Sequence, residues 1–191
     1  LLQFAVMGSA YMEKVFDLKR PSVRILSIGE EETKGNFLVK HTIPHMREIG
    51  VNFQGTLEGR DVNTGETDVI VCDGFVGNIV LKMAEGLSKT IINMIKREVK
   101  KRPLAILGAL LAKGAFSAVK KHTNPDQYGG APLVGVNGVA IISHGKSNEV
   151  AIFNALKTAK RLVEKNFVGD IAARVAALKD TFCAIEAEMQ E

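Results

Sequence analysis

Tryptophan is absent from this chain, cysteine occurs only twice, and aromatic residues make up 6% of it. Two cysteines, one inside an apolar run and one near the C-terminal end, cannot build a disulfide framework, which points to a reducing, cytoplasmic setting. There is no stripe of Lys and Arg interleaved with aromatics, so the modest surplus of positive charge, +4, does not argue for nucleic acid. That balance fits an acidic protein partner or an anionic membrane surface equally well. The Walker A pattern, Cys/His metal-ligand spacing and a Gly-x-Ser-x-Gly elbow are all missing. No repeat, low-complexity linker or boundary divides the chain, so residues 1–191 are expected to form one domain. With 46% apolar and 24% charged residues, that length can bury a sizeable core. The opening Leu1-Leu-Gln-Phe-Ala-Val-Met7 has no initiator Met, basic leader or capping residue. It reads as a helix already under way, and Leu1 is expected to be an internal position of a longer protein.

What is present is organised around Asp68-Val-Ile-Val-Cys-Asp-Gly-Phe-Val-Gly-Asn78. Val69 to Cys72 is a short β-branched run of the kind that fills a buried strand. Asp73 and Gly74 break it, and Gly77-Asn78 lead into a helix expected from Ile79 to Lys101. A strand, a glycine-bearing turn and a helix N-terminus offer free backbone N–H groups to an anion. An ordinary turn with no ligand explains the same residues.

Upstream, residues 2–18 have helical spacing, Val23–Gly29 reads as a strand, and Gly29–Asn36 as a polar turn. A helix from Phe37 to Ile49 is expected to break or kink at Pro44, and Val51–Leu57 as a third strand precedes a turn at Gly59–Asp61. This alternation predicts an α/β fold with a parallel sheet. Downstream, the long helix ends in Lys96, Arg97, Lys100, Lys101 and Arg102. Pro103 then opens an apolar run, Leu104 to Val119, in which Lys113 is the only charge. That run is shorter than the ~20 residues needed to span a bilayer. A buried helical hairpin, a subunit interface, or a surface dipping into a membrane beside Lys120-Lys121 each explains it. Tyr128–Gly135 and Val139–Gly145 suggest two more strands, and Val150–Asn166 and Ile171–Glu188 two closing helices.

Three turns therefore fall at the carboxyl ends of predicted strands: Glu30–Asn36, Asp73–Asn78 and His144–Asn148. In one parallel sheet those ends share an edge and the turns can converge on a cleft. Lys34 offers a cation beside Gly35, Asn78 a side-chain donor, and His144 a proton exchanger near neutral pH. Each also has a plain reading, as a solvated lysine, a helix cap and a structural histidine. Cys72, inside an apolar strand, is a poor nucleophile because burial raises a thiol's pKa and blocks access.

At these residues the chain resembles a known family. Glu-Glu-Thr-Lys-Gly-Asn (31–36), Val-Cys-Asp-Gly-Phe-Val-Gly-Asn (71–78), Tyr-Gly-Gly-Ala-Pro-Leu-Val-Gly (128–135) and Ser-His-Gly-Lys-Ser (143–147) are similar, in order, to motifs of the bacterial phosphate acyltransferases of phospholipid synthesis, acyl-acyl-carrier-protein:phosphate acyltransferase. The resemblance covers the C-terminal part of that family's length, and no motif is matched after about Asn166. It implies a three-layer α/β/α fold with a mostly parallel sheet, akin to phosphate acetyltransferases and isocitrate/isopropylmalate dehydrogenases. A protruding long-helix hairpin at 79–122 would be inserted in it. It also implies acyl carrier protein and inorganic phosphate as partners, a homodimer, no metal or organic cofactor, and a cytoplasmic protein peripherally bound to membranes. Leu107, Leu110, Leu111 and Phe116 would make the dimer or membrane contact. Lys34, Asn78 and His144 match the catalytic positions, and Gly35, Asn36, Asp73, Gly74 and Gly77 the substrate-binding ones. The alternatives are a phosphate acetyl- or butyryltransferase using acyl-coenzyme A, and a non-catalytic membrane- or partner-binding module on this fold.

Overall fold

The computed structural model describes residues 1–122, 127 and 129–188. Helix α1 (Leu2–Phe16) leads through Pro21 into strand β1 (Ser22–Ser27). Helix α2 (Phe37–His45), strand β2 (Asn52–Glu58) and strand β3 (Val69–Val71) complete the first unit. The three strands form a parallel sheet in the order β2-β1-β3, so β1 is central. Its buried Val23, Ile25 and Leu26 follow from that place, since a central parallel strand meets packing on both faces. The sheet core gathers Ala5 and Val6 of α1, Val39 and Ile43 of α2, Val69 and Val71 of β3, and Phe182.

Local chemistry sets the boundaries. At the entry to the sheet, the Ser22 N–H and hydroxyl both donate to Asp68 Oδ2 at 2.7 Å, locking β1 and β3 into register. Pro44 lies inside α2 and the helix ends one residue later, so the expected run to Ile49 is cut short at His45. Gly50 (φ +73) carries the turn into β2.

Helix α3 (Gly74–Lys100) is 27 residues long. It starts five residues before the expected Ile79, because Asp73 rather than Asn78 is its N-cap. Helices α4 (Pro103–Leu111) and α5 (Lys113–His122) follow. The described apolar side chains of the 104–119 run are not buried, and α3 and α4 contain no buried residue, which overturns a hairpin packed into this chain's own core. The side chains of Lys120 and Lys121 lie outside the described residues, as does Tyr128.

The next pair of strands also departs from expectation. β4 (Ala131–Pro132) and β5 (Ile141–Ile142) are two residues each and pair antiparallel in a separate sheet. Gly129, Gly130 and Pro132 explain the brevity, since none favours a continuous ladder. At Gly129 (φ +75) a Cβ would lie 2.1 Å from the Ala155 backbone N, so only glycine lets this segment approach the next helix. The chain closes with three helices instead of two: α6 (Glu149–Glu164), α7 (Phe167–Ala177) and α8 (Lys179–Glu188). The α7 helix packs on α1 through Phe167 and Ile171 against Met7 and Ala10. Arg174 seals the contact, donating to Glu13 at 2.6 Å and pairing with Asp170 at 2.8 Å.

Candidate active site

Two of the three predicted turns leave adjacent strands of the parallel sheet. Ile25 of β1 pairs with Val71 of β3, so the segments after Ser27 and after Val71 emerge side by side at the carboxyl edge.

The first segment folds back over Gly29, where a Cβ would sit 2.9 Å from Lys34 Cγ. The Lys34 N–H donates to the Glu31 carbonyl at 2.9 Å. From neighbouring β2, the Thr56 hydroxyl donates to the Glu30 carbonyl at 2.8 Å. Gly35 takes φ +110 and would, with a Cβ, press on Val39 at 2.8 Å and on Ser27 Oγ at 3.0 Å. Asn36 caps α2, its Oδ1 accepting from the Val39 N–H at 2.9 Å. The loop is thus anchored at both ends while the Lys34 side chain is exposed, with no ion-pair partner among the described residues. A fixed backbone carrying an uncommitted cation is suited to holding an anion.

The second segment is governed by Asp73. Its Oδ1 accepts from the Phe75 and Val76 N–H groups, both at 2.9 Å, and its carbonyl accepts from Gly77. Two amides expected to be free for a ligand are therefore engaged, and a carboxylate occupies the positive end of the helix dipole. Asn78 is the fifth residue of α3, exposed, with its side chain uncommitted among the described residues. Cys72 is half-buried. Burial first, and then the Asp73 carboxylate, push its thiol above the usual range. A Cβ at Gly77 would lie 3.1 Å from Cys72 Sγ, so that glycine keeps the strand end and helix start in contact.

The third turn comes from elsewhere. It follows β5, so the expectation that all three turns end strands of one parallel sheet is corrected to two of three. Ser143 ties it back by donating to the Gly129 carbonyl at 2.8 Å. His144 is exposed, and its Nδ1 accepts from the Lys146 N–H at 3.0 Å. An imidazole that accepts at Nδ1 carries its proton on Nε2. Among the described residues no hydrogen bond or ion pair joins His144 to Lys34 or Asn78.

One polar group escaped the sequence reading. Ser27 Oγ, at the end of the central strand beneath Gly35, is buried without a hydrogen-bond partner among the described residues. A hydroxyl residue ending the central strand at the ligand-bearing edge was its signal. Among the described residues no group of three or more His, Cys, Asp or Glu is placed to hold a metal ion. No helix among them is long and apolar enough to cross a membrane.

Comparison with known proteins gives a consistent result. A family model described as fatty acid synthesis protein matches residues 1–169. A phosphate acyltransferase of Elusimicrobium minutum is 59% identical over 188 residues, covering 98% of this chain and 55% of that protein. One from Heliobacterium modesticaldum is 50% identical over 183 residues, covering 96% and 55%. One from Aquifex aeolicus is 49% identical over 167 residues, covering 87% and 50%. The chain spans about half the length of the curated relatives it matches.

Proposed function

We propose a function from one premise: the chain belongs to the fatty acid synthesis protein family. On that premise the protein moves a fatty acyl group from acyl-acyl-carrier-protein to inorganic phosphate, giving free carrier protein and an acyl phosphate for phospholipid synthesis. The observation that carries this reading is the side-by-side exit of β1 and β3, which brings the Lys34 loop and the start of α3 to one edge.

Phosphate is already an anionic nucleophile at neutral pH, so it needs placement more than deprotonation. Lys34 holds it, with Gly35 allowing close backbone approach and Asn36 steadying the loop. A phosphate oxygen attacks the thioester carbon, the C–S bond breaks, and the carrier thiolate leaves and takes up a proton. Charge gathers on the carbonyl oxygen as the attack proceeds, and the Asn78 amide donates to it. A donor of that kind is typically worth ~3 kcal/mol. Asp73, Gly74 and Gly77 shape the turn that presents Asn78. His144 aids the leaving group by donating a hydrogen bond from Nε2–H to the departing sulfur, which takes its proton from solvent. A thiol of pKa ~8.5 leaves readily, so this help is secondary. The capping role of Asp73 supports the division of labour, because its carboxylate repels phosphate from the helix terminus and leaves that work to Lys34.

The finer architecture belongs to the same reading. Residues 1–191 form one unit of a three-layer α/β/α fold of the isocitrate/isopropylmalate dehydrogenase kind, from which the 79–122 helices project. A homodimer covers the exposed apolar side chains of α3, and the tip around Leu107, Leu110, Leu111 and Phe116 touches the membrane of a cytoplasmic, peripherally bound protein. The exposure of Leu104 (85%) and Leu111 (84%) supports a covered or lipid-facing tip.

The test measures acyl phosphate as its hydroxamate after hydroxylamine trapping, using the full-length protein with acyl-acyl-carrier-protein and phosphate. Lys34→Ala and Asn78→Ala should each lower turnover by about 100-fold. Near-normal turnover in both variants would refute the role assignment. Preference for acyl-coenzyme A over the carrier-bound donor would refute the donor.

A further inference from the structure

The end of β1 carries a polar group that the proposed chemistry leaves unused. Ser27 Oγ is buried and has no hydrogen-bond partner among the described residues. Burying a hydroxyl without a partner is costly, and folded proteins leave few such groups. One that lies at the ligand-bearing edge of the sheet calls for a partner supplied in the ligand-bound state.

The loop that carries Lys34 lies directly over this hydroxyl. A Cβ on Gly35 would stand 3.0 Å from Ser27 Oγ. The peptide that joins Lys34 to Gly35 has two polar groups, the Lys34 carbonyl and the Gly35 N–H. Neither has a hydrogen-bond partner among the described residues. In a planar trans peptide the two point in opposite directions. Turned one way, the carbonyl faces down to Ser27 while the N–H faces out beside the Lys34 side chain. Gly35 stands at φ +110 and has no Cβ, so it can follow such a turn where a bulkier residue would clash. The anchors on either side need not move. The Lys34 N–H bond to the Glu31 carbonyl and the Asn36 cap on Val39 both lie outside that peptide.

We propose that Ser27 is a positioning residue of the phosphate site. With phosphate bound, its hydroxyl donates to the Lys34 carbonyl, and the Gly35 N–H is thereby aimed at a phosphate oxygen beside the Lys34 ammonium. The inference rests on the reading of the Lys34 loop as the place where phosphate is held. Lys34 alone supplies a mobile point charge, whereas a backbone N–H fixed from below adds direction. Ser27 itself does not touch phosphate, because its oxygen lies under the loop.

Thermal unfolding of the full-length protein over a series of inorganic phosphate concentrations, at constant ionic strength and without acyl donor, tests it. Without phosphate, Ser27→Ala should melt no lower than wild type, since the hydroxyl has no partner to lose. Its phosphate dissociation constant, read from the rise of melting temperature with phosphate, should increase about fivefold, the worth of one net hydrogen bond. In steady-state turnover the KM for phosphate should rise to the same extent and the KM for acyl-acyl-carrier-protein should stay at the wild-type value. A Ser27→Ala protein that melts below wild type without phosphate has lost a bond already in place, and overturns the proposal. Equal phosphate affinity in Ser27→Ala and wild type also overturns it. Lys34→Ala separates the two readings in that case. If it abolishes phosphate binding, the phosphate site stands and only the role of Ser27 falls. If it too binds phosphate as wild type does, the reading of the loop as the phosphate site fails with it.

Discussion

Asn36 and Asp73 show how one residue type can serve the fold while appearing to serve a ligand. Both stand in motifs that resemble those of the phosphate acyltransferases, and both commit a side-chain oxygen to a helix N-terminus. Among the described residues the Lys34 and Asn78 side chains have no such commitment, and that freedom separates the candidate chemistry from its scaffold. Cys72 makes a sharper case at this scale. Its thiol is pushed up by burial and then by Asp73, so its reactive thiolate is scarce at neutral pH. Cys183 is exposed. Iodoacetamide at pH 7.5 should modify Cys72 about tenfold more slowly than Cys183, as followed by peptide mapping. A folded-state pKa above the unfolded value means that the neutral thiol's contribution to stability is present at neutral pH. It is lost as pH rises above the unfolded thiol's pKa and through the raised one. Equal labelling of both cysteines at pH 7.5 would contradict the burial argument.

Elements, rather than residues, decide where Asn78 stands. The Gly74 that follows Asp73 suggests a break, because glycine is a weak helix former, and the local pattern places the helix start only at Ile79. The structure starts it at Gly74 because the Asp73 carboxylate satisfies two of the first amides. Replacing that carboxylate should matter. Asp73→Ala is expected to cost about 1 kcal/mol and lower the melting temperature by about 3 °C, whereas Asp73→Asn retains a capping oxygen and stays near wild type. Thermal unfolding followed by circular dichroism separates the two, and identical melting curves for both variants and wild type would remove the cap from the account. The strands of the parallel sheet were legible because β-branched runs such as Val69-Ile-Val71 are bounded by polar and glycine residues. The β4–β5 pair was not legible as an antiparallel ribbon. Its strands are two residues long, and pairing direction depends on a contact across eight intervening residues, not on local pattern. For the same reason the chain order of motifs could bring the Lys34 and Asp73 turns together on paper and in space, but could not assign the His144 turn to its own sheet.

At the scale of the whole molecule the dominant feature is exposed apolar surface. Ile79, Met83, Leu87, Ile91 and Ile95 recur every four residues along α3, and all are exposed. Beyond them the exposed Leu104, Leu107, Leu110 and Leu111 crowd onto α4. Sequence shows such a run without showing what covers it, since hydrophobicity alone does not distinguish core from interface or lipid. The stripe and the tip differ in a useful way. A long stripe of exposed apolar residues suits a second helix of the same kind, as in a symmetric dimer. The short tip follows the basic helix end at Lys96, Arg97, Lys100 and Lys101, an arrangement suited to an anionic bilayer surface. The proposed dimer and membrane contacts should therefore fail separately in the full-length protein. Leu87→Glu with Ile91→Glu should shift the mass measured by light scattering from dimer to monomer. Leu110→Glu with Leu111→Glu should leave the dimer intact and weaken flotation with anionic vesicles at least tenfold, since each buried Leu is worth about 2 kcal/mol. If the tip variant loses dimerisation and keeps vesicle binding, the two assignments are reversed and the tip is the subunit interface.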